Sequence, residues 1–194
     1  MSNSQNRKSL TSARWPVFGS LAGLCFAGIL TAMSIVLGKF LQIPNPFQEF
    51  IRISFENLPI MIAGFTLGPI AATIVGVVAD LIGCVLYGYA INWRITLGAA
   101  AIGLISGTLA LIIRKPRSLS IIISVCSAHL VGSVLIKSWG LAKWYLDSYE
   151  LGYWEFVLWR LINYALIATA ECVIICLLFK NRAFRKQIER MVKR

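Results

Sequence analysis

Three ionisable side chains stand inside apolar stretches, where charge is costly: Asp80, His129 and Glu171. In lipid such groups either join an internal hydrogen-bonding network that fixes helix register or carry protons. One histidine and two acids make no relay pattern, so a network is the simpler expectation. A second set is cationic. Lys39, Arg52, Arg94, Lys137 and Arg160 fall at the ends of apolar segments or in the loops beside them. They can pair with Glu49, Glu56, Asp147, Glu150 and Glu155 and snorkel, or they can form a mouth for an anionic ligand. Arg160 shares a helical face with Asn163, Tyr164, Ile167 and Glu171, while Tyr87, Tyr89, Asn92 and Trp93 cluster near Arg94. Guanidinium groups, π faces and amides together suit a flat, polar, ring-containing solute with negative groups. The candidate ligand-binding residues are therefore Arg52, Tyr87, Tyr89, Asn92, Arg94, Lys137, Arg160 and Asn163.

Catalytic chemistry has no comparable signal. The chain has no GxxxxGK[ST] phosphate loop, no HExxH and no GxSxG. His129 is the single histidine and has no local carboxylate partner, so neither a metal site nor a cofactor is expected. The cysteines (Cys25, Cys84, Cys126, Cys172 and Cys176) lie in apolar segments without metal-site or disulfide spacing and read as small packing residues.

The elements that must carry these residues are membrane helices. The sequence is 58% hydrophobic and only 14% charged, with a mean hydropathy of +0.74. A soluble domain needs about a quarter of its residues charged. No ionisable acid or base other than tyrosine or cysteine interrupts residues 15–38, 95–113 or 161–170. About twenty apolar residues in a helix cross the hydrocarbon core, and helices satisfy their own backbone there. The expected class is an all-α integral membrane protein, a bundle of six helices over residues 17–41, 55–67, 69–87, 95–113, 118–137 and 155–179. Gly68-Pro69 separates the second from the third, with proline suited to a first helical position. The second helix is too short to span, so it must be shielded by neighbours or end in a cavity. Residues 42–51, with Pro44 and Pro46, read as a loop, and the aromatic stretch 138–154 as an interface segment.

A net charge of +11 raises the question of nucleic acid, which the placement of the charge answers. Thirteen of nineteen basic residues sit in three clusters: Arg7, Lys8 and Arg14; Arg114, Lys115 and Arg117; and seven from Lys180 to Arg194. Six spans put all three on one side, as the positive-inside rule requires, with both termini cytoplasmic and facing anionic lipid. No soluble unit remains to bind nucleic acid. The chain is one membrane domain: a cytoplasmic segment 1–16, a bundle 17–179 and a basic cytoplasmic tail 180–194. Ridges of small residues mark three helices: Gly19, Gly23, Gly28 and Ala32; Ala72, Gly76, Ala79 and Gly83; Ala99, Gly103 and Gly107. They allow helices to approach closely in lipid.

The linked strings RISFENLPI (52–60), AGFTLGP (63–69) and ADLIG (79–83) resemble the substrate-binding S components of energy-coupling-factor vitamin transporters. GYAIN (88–92) followed by ITLGA (95–99) resembles the folate-specific type. The likeness covers residues 52–107 best. It implies six helices, an outward-opening pocket closed by loops, and folate or a related pterin as ligand. It further implies lateral docking on a transmembrane coupling subunit with two cytoplasmic ATPases, in a bacterial cell membrane. The first helix of the family carries a docking stripe, usually Ala-xxx-Ala, which here aligns with Gly28 and Ala32; Trp93 stands where proline is usual. The residues themselves leave open another vitamin, a modified-base precursor, a small membrane enzyme or a subunit without ligand.

Overall fold

A computed structural model of the chain describes residues 20–45, 48–113, 117–142 and 152–192. The basic residues at positions 7, 8, 14, 114, 115, 193 and 194, and the acids Asp147 and Glu150, lie outside them. Within the described residues the architecture is a helical bundle with one small hairpin. Helix α1 is Leu21–Lys39, started by Ser20, whose Oγ accepts from the Gly23 amide at 3.1 Å. Strands β1 (Ile43–Asn45) and β2 (Gln48–Ile53) pair antiparallel, Ile43 facing Ile53 and Pro44 facing Arg52. Sequence reasoning gave this stretch as a loop. A two-stranded ribbon consists of edges alone, and an edge tolerates a proline that cannot donate.

Helices α2 (Asn57–Leu67) and α3 (Pro69–Leu86) meet at Gly68, whose φ of 97° is open to glycine at no steric cost. Pro69 opens α3 as expected. Helix α2 is only 11 residues long and buried on all sides over most of its length, which is the shielding a short span needs. Helix α4 is Trp93–Ile112, and α5 starts at Arg117. At His129–Ile136 α5 widens into a π-helix before returning to α geometry up to Ala142. Helix α6 is Tyr153–Lys180, and α7 is Arg182–Val192. Among the described residues, five helices are long and apolar enough to cross a membrane, and α2 is a shorter apolar helix.

The basic tail of the sequence forms helix α7 over its described residues. Phe184 and Ile188, one turn apart, rest against the core, with Phe184 edge-on to Phe179 at 5.5 Å, while Arg182, Arg185 and Lys186 are exposed.

The small-residue ridges of α3 and α4 pack against each other. A Cβ on Gly103 would stand 2.4 Å from the Ala72 carbonyl oxygen, and one on Gly76 would stand 2.6 Å from that of Ala99. Backbone against backbone leaves no side chain to yield. Gly103→Val is expected to destabilise the bundle by at least the 1–3 kcal/mol typical of overpacking, about the loss seen when a core methylene is forced in. Thermal unfolding in detergent measures it, and an unchanged melting temperature would contradict this packing.

Candidate functional site

At the hairpin end of the bundle, α1 to α5 surround a small, partly open cavity of about 30 Å³. That is well below the roughly 300–1,000 Å³ of ligand sites, so a ring-containing solute would have to open it further. Three ionisable side chains reach it: Glu56 just before α2, Asp80 from α3 and Lys137 from α5. Ser34 and Gly38 of α1 and Ala99 of α4 complete the polar and small-residue wall.

Lys137 is nearly sealed, at 4% exposure. Its ammonium donates to Glu56 Oε1 at 2.6 Å and to Asn57 Oδ1 at 3.4 Å. An ammonium has three N–H donors, so these two bonds leave one. Glu56 is placed by its backbone, since Ser34 Oγ donates to its carbonyl at 2.6 Å. Gly38 gives its carboxylate room: a Cβ there would lie 3.0 Å from Oε2. Asp80 Oδ2 accepts from Thr96 Oγ1 at 2.6 Å. The cavity thus offers two carboxylates and one ammonium.

Behind Lys137 lies a second polar group. Asn57 Nδ2 reaches Ser133 Oγ at 3.5 Å, Ser133 Oγ is 3.1 Å from His129 Nδ1, and His129 Nε2 is 2.6 Å from Glu171 Oε2. All four residues are buried. The internal network expected for His129 and Glu171 is therefore present, whereas Asp80 belongs to the cavity wall instead.

Of the eight residues picked from the sequence, Lys137 lines this cavity. Arg160 is buried on the expected face with Asn163, Ile167 and Glu171. It donates from Nη2 to the Ser133 carbonyl at 2.8 Å and lies 5.2 Å from the Tyr164 ring centre and 5.6 Å from that of Phe156. Asn163 Nδ2 donates to the Arg52 carbonyl at 3.4 Å, which ties α6 to the hairpin. The Arg52 side chain itself is exposed and donates to Gln42 Oε1 at 2.9 Å. Asn92 caps α4, accepting from the Arg94 amide at 3.1 Å, and donates to the Gly140 carbonyl at 2.9 Å. Arg94 stacks over Trp139 at 4.2 Å and Trp93 at 5.3 Å. Tyr87 meets Phe40 edge-on at 5.7 Å and Tyr89 face-on at 6.4 Å. Burial of its hydroxyl, then the neighbouring Tyr89, pushes the Tyr87 phenol above its usual value, so it stays a neutral group at physiological pH.

The other lining residues escaped the choice of candidates, among them Asp80, which was singled out only as a charge inside an apolar stretch. Ser34 and Gly38 carry no signal in a sequence of many serines and glycines. Glu56 was visible as an acid that could pair with an outer cation, and it does pair with Lys137. Gly28 and Ala32 lie on the exposed side of α1, and a Cβ on Gly28 would meet nothing within 4 Å.

A family model described as "ECF transporter, substrate-specific component" matches residues 23–179. No curated protein matches the chain. Among solved structures, "Crystal structure of FolT bound with folic acid" is similar with a TM-score of 0.62 at 21% identity, over 80% of this chain and 90% of that one. At that identity the likeness carries the fold.

The two halves of the Lys137–Glu56 pair are unequally buried, with side chains 6% and 30% exposed. Glu56→Ala strands an ammonium away from water, whereas Lys137→Met leaves a carboxylate that can hydrate. Glu56→Ala is expected to cost about 1–3 kcal/mol of stability, and Lys137→Met less. Melting curves of both variants check the order; equal losses would contradict the burial asymmetry.

Proposed function

The chain belongs to the substrate-specific components of ECF transporters, and from that premise we propose that it captures folate at the outer face of a bacterial membrane for uptake driven by partner ATPases. The observation that carries the ligand assignment is that Asp80 and Lys137 line one cavity. The pterin ring of folate presents an amino group and a ring N–H beside a carbonyl. Asp80 has one carboxylate oxygen committed to Thr96 and another to accept from those donors. The third proton of Lys137 meets the carbonyl. The acidic end of folate then faces the rim, where Arg52 and Arg94 compete for its carboxylates; Arg160, behind the cavity wall, is the third cation within the same end of the bundle. A guanidinium holds a carboxylate by two parallel charge-assisted bonds.

Partner docking is assigned to α1. Gly28 and Ala32 leave a flat strip on its exposed side, and close helix approach in lipid depends on such strips. The transmembrane coupling subunit seats there and the ATPases follow from it. With six spans, the basic clusters place both termini in the cytoplasm.

Mass spectrometry of the molecule that stays bound to purified protein tests the cargo first. A pterin supports the reading; another vitamin or a modified-base precursor moves the cargo and keeps the architecture; measurable turnover would point to an enzyme. In equilibrium titrations Asp80→Asn should weaken folate and pterin alike by about ten- to a hundredfold, the effect of losing a charged hydrogen bond. Arg94→Ala should weaken folate and leave pterin alone, whereas Arg160→Ala, which also frees the Ser133 carbonyl, should weaken both. Unchanged folate affinity in all three would remove the site.

Coupling has its own measurement. Gly28→Leu should abolish uptake while folate affinity stays within about twofold, because the added bulk blocks helix approach far from the cavity. Loss of binding together with transport would mean that α1 had been misassigned.

A further inference from the structure

Beneath the cavity, five buried side chains form one hydrogen-bonded line: Glu171, His129, Ser133, Asn57 and Lys137. With the histidine ring taken as neutral and Glu171 as a carboxylate, its donors all point the same way. An ionised carboxylate only accepts, so Glu171 Oε2 takes the Nε2 proton of His129 at 2.6 Å. In the neutral ring Nδ1 is then an acceptor, and the single proton of Ser133 Oγ, 3.1 Å away, goes to it. The Ser133 oxygen is left to accept from Asn57 Nδ2 at 3.5 Å. With its nitrogen so committed, the Asn57 amide must present Oδ1 on its other side, and there Lys137 Nζ lies at 3.4 Å. The opposite amide orientation would set an NH₂ against an ammonium, two donors face to face.

We propose that Glu171 and His129 are positioning residues for ligand binding, acting through Ser133 and Asn57 to hold Lys137 where its third proton meets the ligand. The inference rests on the ligand reading above for the role of Lys137. Three features favour it over a purely structural network. The line runs to the one ammonium among the cavity's lining residues, which Glu56 holds from its other side. Glu171 is fully buried with Oε1 lacking a partner among the described residues, so this carboxylate is poorly used as a structural cross-link. Its one bond sets the histidine tautomer, and with it every later donor. Finally, Arg160 grips the Ser133 carbonyl at 2.8 Å, so the middle of the line is anchored from α6 as well as α5.

A double-mutant cycle on the full chain separates the two roles. Folate affinity is measured for Glu171→Gln and Ser133→Ala, each with Lys137 intact and with Lys137→Met. With Lys137 present, each change should weaken folate about three- to tenfold, the worth of one hydrogen bond. In Lys137→Met the same changes should alter affinity by less than about twofold. A loss that persists undiminished in Lys137→Met overturns the proposal, since the two residues would then act by general packing. Native affinity in both Glu171→Gln and Ser133→Ala overturns it as well. Ser133→Ala decides the matter if Glu171→Gln does not fold, because it removes one hydroxyl and leaves the His129–Glu171 pair in place. Lys137→Met binding folate as the native chain does would instead sink the ligand reading and take the target of the line with it.

Discussion

An ammonium closed off from water must find its counter-charge inside the protein, and Lys137 imposes that demand on the whole bundle. The cost of an unpaired buried ion is several kcal/mol, more than most single contacts can offset. Glu56 answers it from the start of α2 and Asn57 from the next residue. Both are held at that height only if the chain returns from α1 through a compact connection, and the hairpin β1–β2 provides one. Gly38 leaves the space that the Glu56 carboxylate occupies. The position of one lysine on α5 thus sets where α2 begins and how closely α1 passes it.

The same demand explains why α2 can be short. In lipid, helices gain little from burying apolar surface, so contact depends on close approach and on polar groups that find partners. Helix α2 is covered by α1, α3 and α4 and exposes almost no side chain. Glycines at 76 and 103 let α3 and α4 approach to backbone contact, which holds Asp80 and Thr96 across from each other. Position in the cavity is therefore inherited from packing that involves no ligand group at all.

Local signals in the sequence were sufficient for much of this. Gly68-Pro69 marked the break between α2 and α3 because only a positive φ and a first-turn proline fit that pair. The ridges at 72, 76, 99, 103 and 107 were visible as helical spacing. Asp80, His129 and Glu171 stood out because charge in an apolar run is expensive, and Lys137 as one of the cations at the ends of apolar segments. What could not be seen was partnership: Glu56 and Lys137 are 81 residues apart, and no local pattern distinguishes Glu56 from the other outer acids. The hairpin was hidden by its prolines, which argue against a strand until it is known to be all edge. Helix α7 was passed over for its charge, although Phe184, Ile188 and Met191 recur at helical spacing in the sequence. The π-helix has no sequence signature here.

That π-helix bears on how the cavity is built. An added residue per turn widens the backbone and shifts every following side chain around the axis, and such segments recur at functional sites. Here the segment runs from His129 to Ile136 and ends one residue before Lys137. It carries Ser133, whose hydroxyl and carbonyl both serve side chains of other helices. In a regular α-helix over the same residues, Lys137 would sit at a different angle from His129. As built, one helix supplies the cavity with its ammonium and the buried acid of α6 with a partner. A cavity whose polar groups are already oriented by the fold loses less side-chain freedom when a ligand arrives. In a substrate-binding component such orientation contributes to affinity, and on the reading proposed above the line from Glu171 to Lys137 supplies it.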